Sequence, residues 1–217
     1  METGIVQSVN VGRGRDAEWA NPLGRTAIDK RAVDGGVTVR ALGLDGDEQV
    51  DTDHHGGPDQ AVYAYAREEL DLWQQRLGRP LRDGVFGENL TTRGVEVSRA
   101  LIGERWRIGT VLLEVVLPRT PCSVFRNWMA EKGWVRRFTD EARTGAYLRV
   151  LEEGELRAGD PVTVEHRPGH GIDLTAAFRA TRDRDADLLR RVLDIPGRSH
   201  KWDTAAHQVE RQLARNH

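Results

Sequence analysis

At 217 residues and a net charge of -2, the chain is long enough to bury a core and too near neutral for bulk attraction to nucleic acid or an anionic membrane. Its single cysteine, Cys122, excludes an internal disulfide and any cluster held by several cysteines. No apolar run approaches the roughly 20 residues of a spanning helix, and Met1 to Val6 lack the basic and apolar regions of a signal peptide. A soluble cytoplasmic protein, without nucleic-acid or membrane partners, is therefore expected.

Gly4 to Val9 opens with small and β-branched residues and predicts a first strand, whereas Gly12 to Pro22, rich in glycine, charge and turn formers, reads as a loop. Arg25 and Lys30 then flank Thr26; two cations and a hydroxyl suit a phosphate, although solvated surface charge produces the same pattern. The turn signal Asp34-Gly35-Gly36 precedes an alternating strand, Val37 to Arg40.

Gly43 to Asp59 is the densest polar stretch, and a polar loop between two strands is a usual home for a site. Counted from Asp51, a calcium loop requires an oxygen ligand at position 5 and Glu at position 12, but His55 and Val62 stand there, so calcium is excluded. Zinc is disfavoured because the adjacent His54 and His55 point apart and no second ligand pair has metal spacing. Gly56-Gly57-Pro58 instead marks a sharp turn or a close approach of the backbone.

Gln60 to Tyr65 predicts a strand, followed by a helix whose Ala66, Leu70, Trp73 and Leu77 form a core-facing stripe ending at Gly78. Phe86 to Thr92 is a strand-and-turn segment in which Glu88 and Asn89 either read a polar ligand or satisfy their own turn. Two β-runs, Gly103 to Ile108 and Gly109 to Leu117, lead to Pro118-Arg119-Thr120-Pro121-Cys122. That strand delivers one thiol, stiffened by two prolines and accompanied by an arginine, to the point where it stops. A lone cysteine is more often a small buried hydrophobe, and the segment alone does not decide between the two roles.

Past the cysteine, Val124, Phe125, Trp128 and Met129 make one helical face ending at Gly133; a second helix covers Trp134 to Ala142, and Ala146 to Leu151 returns to strand. A turn over Leu156 to Asp160 feeds a last strand. Many short strands with a few helices predict a mainly β, closed or partly closed barrel over residues 1–165. His166 to Gly171 reads as a linker to a helical extension, 166–217, with helices over Leu174 to Ala180, Asp185 to Leu193 and Lys201 to Ala214, and with Thr175, Asp183 and Ser199 as starts. Its three helices have no single basic face, which argues against a nucleic-acid module and for packing on the barrel or on a second copy of the chain in a homodimer.

Four segments together resemble the MOSC family, the domain at the C-terminus of molybdenum-cofactor sulfurases, and in particular its stand-alone bacterial YiiM-type members. They are Gly43-Leu44-Asp45-Gly46-Asp47, His55-Gly56-Gly57-Pro58-Asp59-Gln60-Ala61-Val62-Tyr63, Phe86-Gly87-Glu88-Asn89-Leu90 and Pro118-Arg119-Thr120-Pro121-Cys122, in matching order and spacing. The similarity spans roughly residues 4–165, and the tail resembles the three-helix extension of the YiiM type. The resemblance implies a MOSC-type β-barrel holding a molybdenum–pterin cofactor (with pyridoxal phosphate binding associated at family level only), Cys122 as metal ligand or sulfur carrier, and reduction of N-hydroxylated small molecules. On that basis Arg119, with Arg25, Thr26 and Lys30, is expected at the cofactor's phosphate, and His55 and Asn89 at the pterin or substrate. His55 is the candidate proton donor, while Asp47, Gly56 and Gly57 shape the loop. A cation beside a thiol favours the thiolate, the form that binds metal, so Arg119 is well placed. Electrons are expected from a separate reductase, since the chain has no flavin or iron–sulfur signature. The alternative is a non-catalytic carrier of the cofactor or its sulfur.

Overall fold

The computed structural model describes residues 3–51 and 56–215. Seven strands close into a barrel: β1 (Thr3–Val11), β2 (Val62–Ala66), β3 (Leu90–Arg93), β4 (Arg105–Ile108), β5 (Val111–Leu117), β6 (Ala146–Glu152) and β7 (Pro161–His166). The order around it is β1-β7-β4-β5-β6-β2-β3 and back to β1. Only the β2–β3 pair is parallel, and a crossover helix, α1 (Arg67–Leu77), lies between those two strands in the chain. Leu70 and Trp73 of α1 are buried, and the helix stops at Gly78 in the left-handed conformation, φ 64°, where a side chain would be strained.

Every residue of β5 is buried, which accounts for its unbroken apolar run. An apolar cluster runs from Val6, Ile108 and Leu113 of the barrel to Leu189, Trp202 and Val209 of the tail, and the Trp202 indole donates to the Val116 carbonyl at 3.1 Å. The tail is thus built onto the barrel by shared burial, through α4 (Leu174–Asp183), α5 (Ala186–Leu193) and α6 (Lys201–Ala214). A second, aromatic cluster joins Trp73 and Phe86 to Phe125 of α2 (Ser123–Met129) and to Trp134 and Phe138 of α3 (Trp134–Glu141). It fixes the first helix after Cys122 against the barrel wall.

Three local expectations need correction. The helix after Cys122 ends at Met129, with Ala130 left-handed (φ 54°), and Gly133 instead caps the start of α3. The tail helices begin at Asp173 and Asp185, whose carboxylates accept from the amides of Ala176 and Leu188, and not at Thr175 and Asp183. Thr175 spends its hydroxyl on the Ser98 and Ala142 carbonyls. The strand expected from Gln60 starts at Val62, because Pro58–Gln60 forms a single 3-10 turn. Among the described residues no helix is long and apolar enough to cross a membrane.

Candidate functional site

The end of β5 turns through Pro118 to Pro121 and enters α2 with Cys122 as the N-cap, its sulfur 3.5 Å from the amide of Phe125. Cys122 is half-buried at the edge of a cleft that the barrel opens on this side. The cleft collects residues from far apart in sequence: Arg25, Thr26 and Lys30, then Asp47 and Gly56, then Asn89, then Arg119 and Cys122 all line it. Gly57 is not among the lining residues; at φ 78° it starts the Pro58–Gln60 turn, and Gly56 has φ 122°, so this pair makes the sharp turn its sequence requires. His55 lies outside the described residues.

Arg119 dominates the electrostatics. It is 7% exposed and forms no ion pair among the described residues. Its guanidinium donates to the Phe86 carbonyl and sits 4.2 Å from the centre of the Phe125 ring and 5.0 Å from that of Tyr63. Burial opposes its charge, but Tyr147, Tyr63 and Cys122 outweigh that effect and raise its pKa above the ordinary arginine value. The cation is therefore permanent.

Lys30 and Asp47 form a second, self-contained unit. Their side chains are nearly inaccessible and ion-paired. Asp47 also accepts from the Gly12 amide at 2.7 Å and from the Asn89 amide nitrogen at 2.9 Å. Burial lowers the Lys30 pKa, and Asp47 works against that shift. Asn89 accepts from the Tyr63 amide at 3.1 Å and donates to the Asn10 carbonyl, so its polar atoms are engaged by the protein itself. As seated, Lys30, Asp47 and Asn89 clamp three loops together and take little part in presenting groups to a ligand. Thr26 is buried and accepts from the Ile28 amide, while Arg25 reaches Asp16 and the Gly14 carbonyl from the cleft's exposed lip. The lining also carries Glu48 and Asp51, so the positive charge left for an anion comes from Arg119 and, at the lip, Arg25.

Glu88 was ambiguous in the sequence. It is fully buried and holds the turn that supplies Arg119's acceptor: one carboxylate oxygen accepts from the Gly84 amide at 2.6 Å and the Thr91 hydroxyl at 3.0 Å, the other from the Phe86 amide at 2.9 Å. Burial pushes its pKa up to about 7 against these donors. Next to it, Gly87 has φ 77°, and a Cβ there would lie 3.1 Å from Ile28 and 3.6 Å from an Arg119 nitrogen. Tyr63, Tyr147 and Gln60 also line the cleft. None was given a role in the sequence, because aromatic and amide residues look like core or surface until closure of the barrel brings them to one wall.

Among the described residues no three His, Cys, Asp or Glu side chains come together as a metal-binding group. The only thiol of the chain lines the cleft together with the buried Arg119, and a thiolate is a soft ligand for a metal.

The family model of the MOSC domain matches residues 51–163. The chain is 33% identical over 199 residues to the uncharacterized protein YflK of Bacillus subtilis (strain 168), covering 91% of this chain and 90% of that one. A Gibberella moniliformis protein named as a reductase is 30% identical over 190 residues, which span 85% of this chain but 33% of that longer protein. The crystal structure of YiiM from Geobacillus stearothermophilus superposes with a TM-score of 0.80 at 27% identity, covering 95% of this chain and 98% of that one. In barrel topology, matched residues and near full-length similarity, the chain belongs to the MOSC domain family.

Proposed function

We propose that the chain is a molybdenum-cofactor-dependent reductase of N-hydroxylated compounds, converting an N–OH group to N–H and water with two electrons and two protons. The observation that carries this reading is Arg119, a buried cation without an ion-pair partner among the described residues, placed on the same wall as the only thiol. A buried charge without a counter-charge is costly, and an anionic cofactor supplies the missing charge where Cys122 can act as a ligand. Similarity to a protein named as a reductase supports the reaction class.

When bound, the cofactor would supply a metal able to pass two electrons to the substrate. The chain's own residues do the rest. Cys122 would supply its sulfur to the metal; Arg119 and Arg25 would hold the anionic group, with Thr26 beside them; the Lys30–Asp47–Asn89 clamp keeps the loops in register. Glu88 and Gly87 hold the Phe86 carbonyl against Arg119. His55 is the proposed proton donor, and a separate reductase the proposed electron source.

The test is direct. Wild-type protein from a host that makes the cofactor should contain molybdenum and pterin, and should reduce a hydroxylamine-type purine when given electrons. Cys122→Ala should lose that turnover. Full activity in the variant would refute the role of the thiol. A wild type that binds cofactor but turns over with no electron donor would identify a carrier.

A further inference from the structure

The three tyrosines of the chain use their hydroxyls differently. Tyr63 donates to the Thr144 carbonyl at 2.7 Å and Tyr65 to the Arg143 carbonyl at 2.8 Å. The Tyr147 hydroxyl has no hydrogen-bond partner among the described residues. Its ring is fixed all the same. On β6 it stands opposite Leu117 of β5 and Tyr63 of β2, and its centre lies 4.9 Å from that of the Tyr63 ring. A half-buried phenol is thus held rigidly on the wall that carries Arg119 and Cys122, with its polar end uncommitted.

Gln60 lies beside it: both residues line the cleft and also a groove that runs from the cleft between the barrel and the tail. The Gln60 amide has one possible orientation. Its oxygen accepts from Lys201 and from the Gly56 amide at 3.1 Å. An ammonium and a backbone N–H only donate, so the oxygen must face them and the NH₂ group is left over. That nitrogen has no partner among the described residues. Lys201 is the first residue of α6, and Asp59, next to Gln60 in the chain, favours its charge against the burial that lowers its pKa. Asp59 is itself held by Arg149 at 2.6 Å. The tail therefore sets how Gln60 is presented.

A pocket orients its ligand through a few convergent polar groups, and this opening offers two donors, a phenol O–H and an amide N–H. Such a pair selects a ligand with a good acceptor. In an N-hydroxylated compound that acceptor is the carbonyl oxygen or imine nitrogen on the carbon bonded to the N–OH group. A plain alkylhydroxylamine has neither.

We propose that Tyr147 and Gln60 are specificity-determining residues that hold this acceptor, and that Lys201 is a positioning residue acting through Gln60. The inference rests on the reductase reading for the reacting group, but its first test needs neither metal nor turnover. Cofactor-free full-length protein is titrated calorimetrically with benzohydroxamic acid and N-benzylhydroxylamine, which share the phenyl ring and the N–OH and differ by the carbonyl. Wild type should bind the hydroxamic acid about fivefold more tightly. Tyr147→Phe keeps the ring, and Gln60→Glu keeps the acceptor for Lys201 and Gly56 while removing the N–H. Each should weaken the hydroxamic acid roughly three- to tenfold and leave the hydroxylamine within about twofold. Lys201→Met should weaken the same compound, and adding it to Gln60→Glu should change little more. In loaded protein both donor variants should raise KM for the hydroxamic acid with kcat nearly unchanged. Should one variant fail to fold, the other decides, since each removes one donor. No binding of the hydroxamic acid, equal binding of the two compounds by wild type, wild-type affinity in the donor variants, or a parallel loss of both compounds would overturn the proposal. If the binding preference holds while loaded wild-type protein turns over neither compound, the reductase reading fails and the donor pair stands as an acceptor-binding site.

Discussion

Replacing Glu88 by glutamine separates the two jobs of this buried carboxylate. Its pKa in the fold is about 7 against an ordinary 4.5, because burial outweighs the donors around it. Between those values the folded protein keeps a proton that the unfolded chain has released, so stability from this group is greatest at acid pH and falls as pH rises through that window. At about 1.4 kcal/mol per pH step the gap amounts to about 3 kcal/mol, most of it lost between pH 5 and 8. Glu69, also buried and raised to about 7, contributes with the same sign, so the wild type alone cannot isolate Glu88. The variant does. An amide has one acceptor oxygen where the carboxylate has two, and Gly84, Phe86 and Thr91 all donate. Glu88→Gln therefore leaves a buried N–H unpaired at every pH, a cost of about 1–3 kcal/mol, but no longer titrates. Urea unfolding followed by the fluorescence of the six tryptophans should show the variant less stable than wild type at pH 5. The gap between the two should move in the variant's favour by roughly 2–3 kcal/mol at pH 8. An identical difference at both pH values would refute the argument.

Three further outcomes follow from the same geometry. Lys30→Met leaves Asp47 buried without its cation and should cost about 3–5 kcal/mol, whereas Lys30→Met with Asp47→Leu should recover much of that loss; a double-mutant cycle measured by denaturant unfolding checks it. Arg119→Met removes the buried cation but keeps an apolar side chain against Phe125 and Tyr63, so cofactor content after purification should fall sharply while the melting temperature of cofactor-free protein drops by no more than a few degrees. A melting point several degrees lower would show that Arg119 is chiefly structural. Ala130→Gly relieves a left-handed residue at φ 54° on an exposed turn and should stabilise by about 1 kcal/mol, read as a higher melting temperature.

Strands and helices were legible where their signals are local: the alternation of Val37 to Arg40, the unbroken run of β5, the stripe of α1. Helix starts were misplaced where several Asp, Ser and Thr residues cluster, since only tertiary contacts decide which one caps; Thr175 is drawn away by carbonyls of Ser98 and Ala142. The grouping of Arg25, Lys30, Asp47 and Cys122 came from motif resemblance. Nothing in spacing alone connects residues almost a hundred positions apart, and the barrel closes that distance. The inward commitment of Asn89 was hidden because a free amide and a satisfied one look alike in sequence. Gln60 and Tyr147 were given no role for the same reason.

The isolated charge on Arg119 also sets an order of events. Phe86, Phe125 and Tyr63 seat the guanidinium within the chain's own fold, and it has no ion-pair partner among the described residues. On the proposed reading, an anion that binds only the folded state pulls the folding equilibrium towards it. Loaded molecules should therefore open less often than unloaded ones. A cell's proteases would then remove empty copies first and leave behind a population enriched in loaded ones.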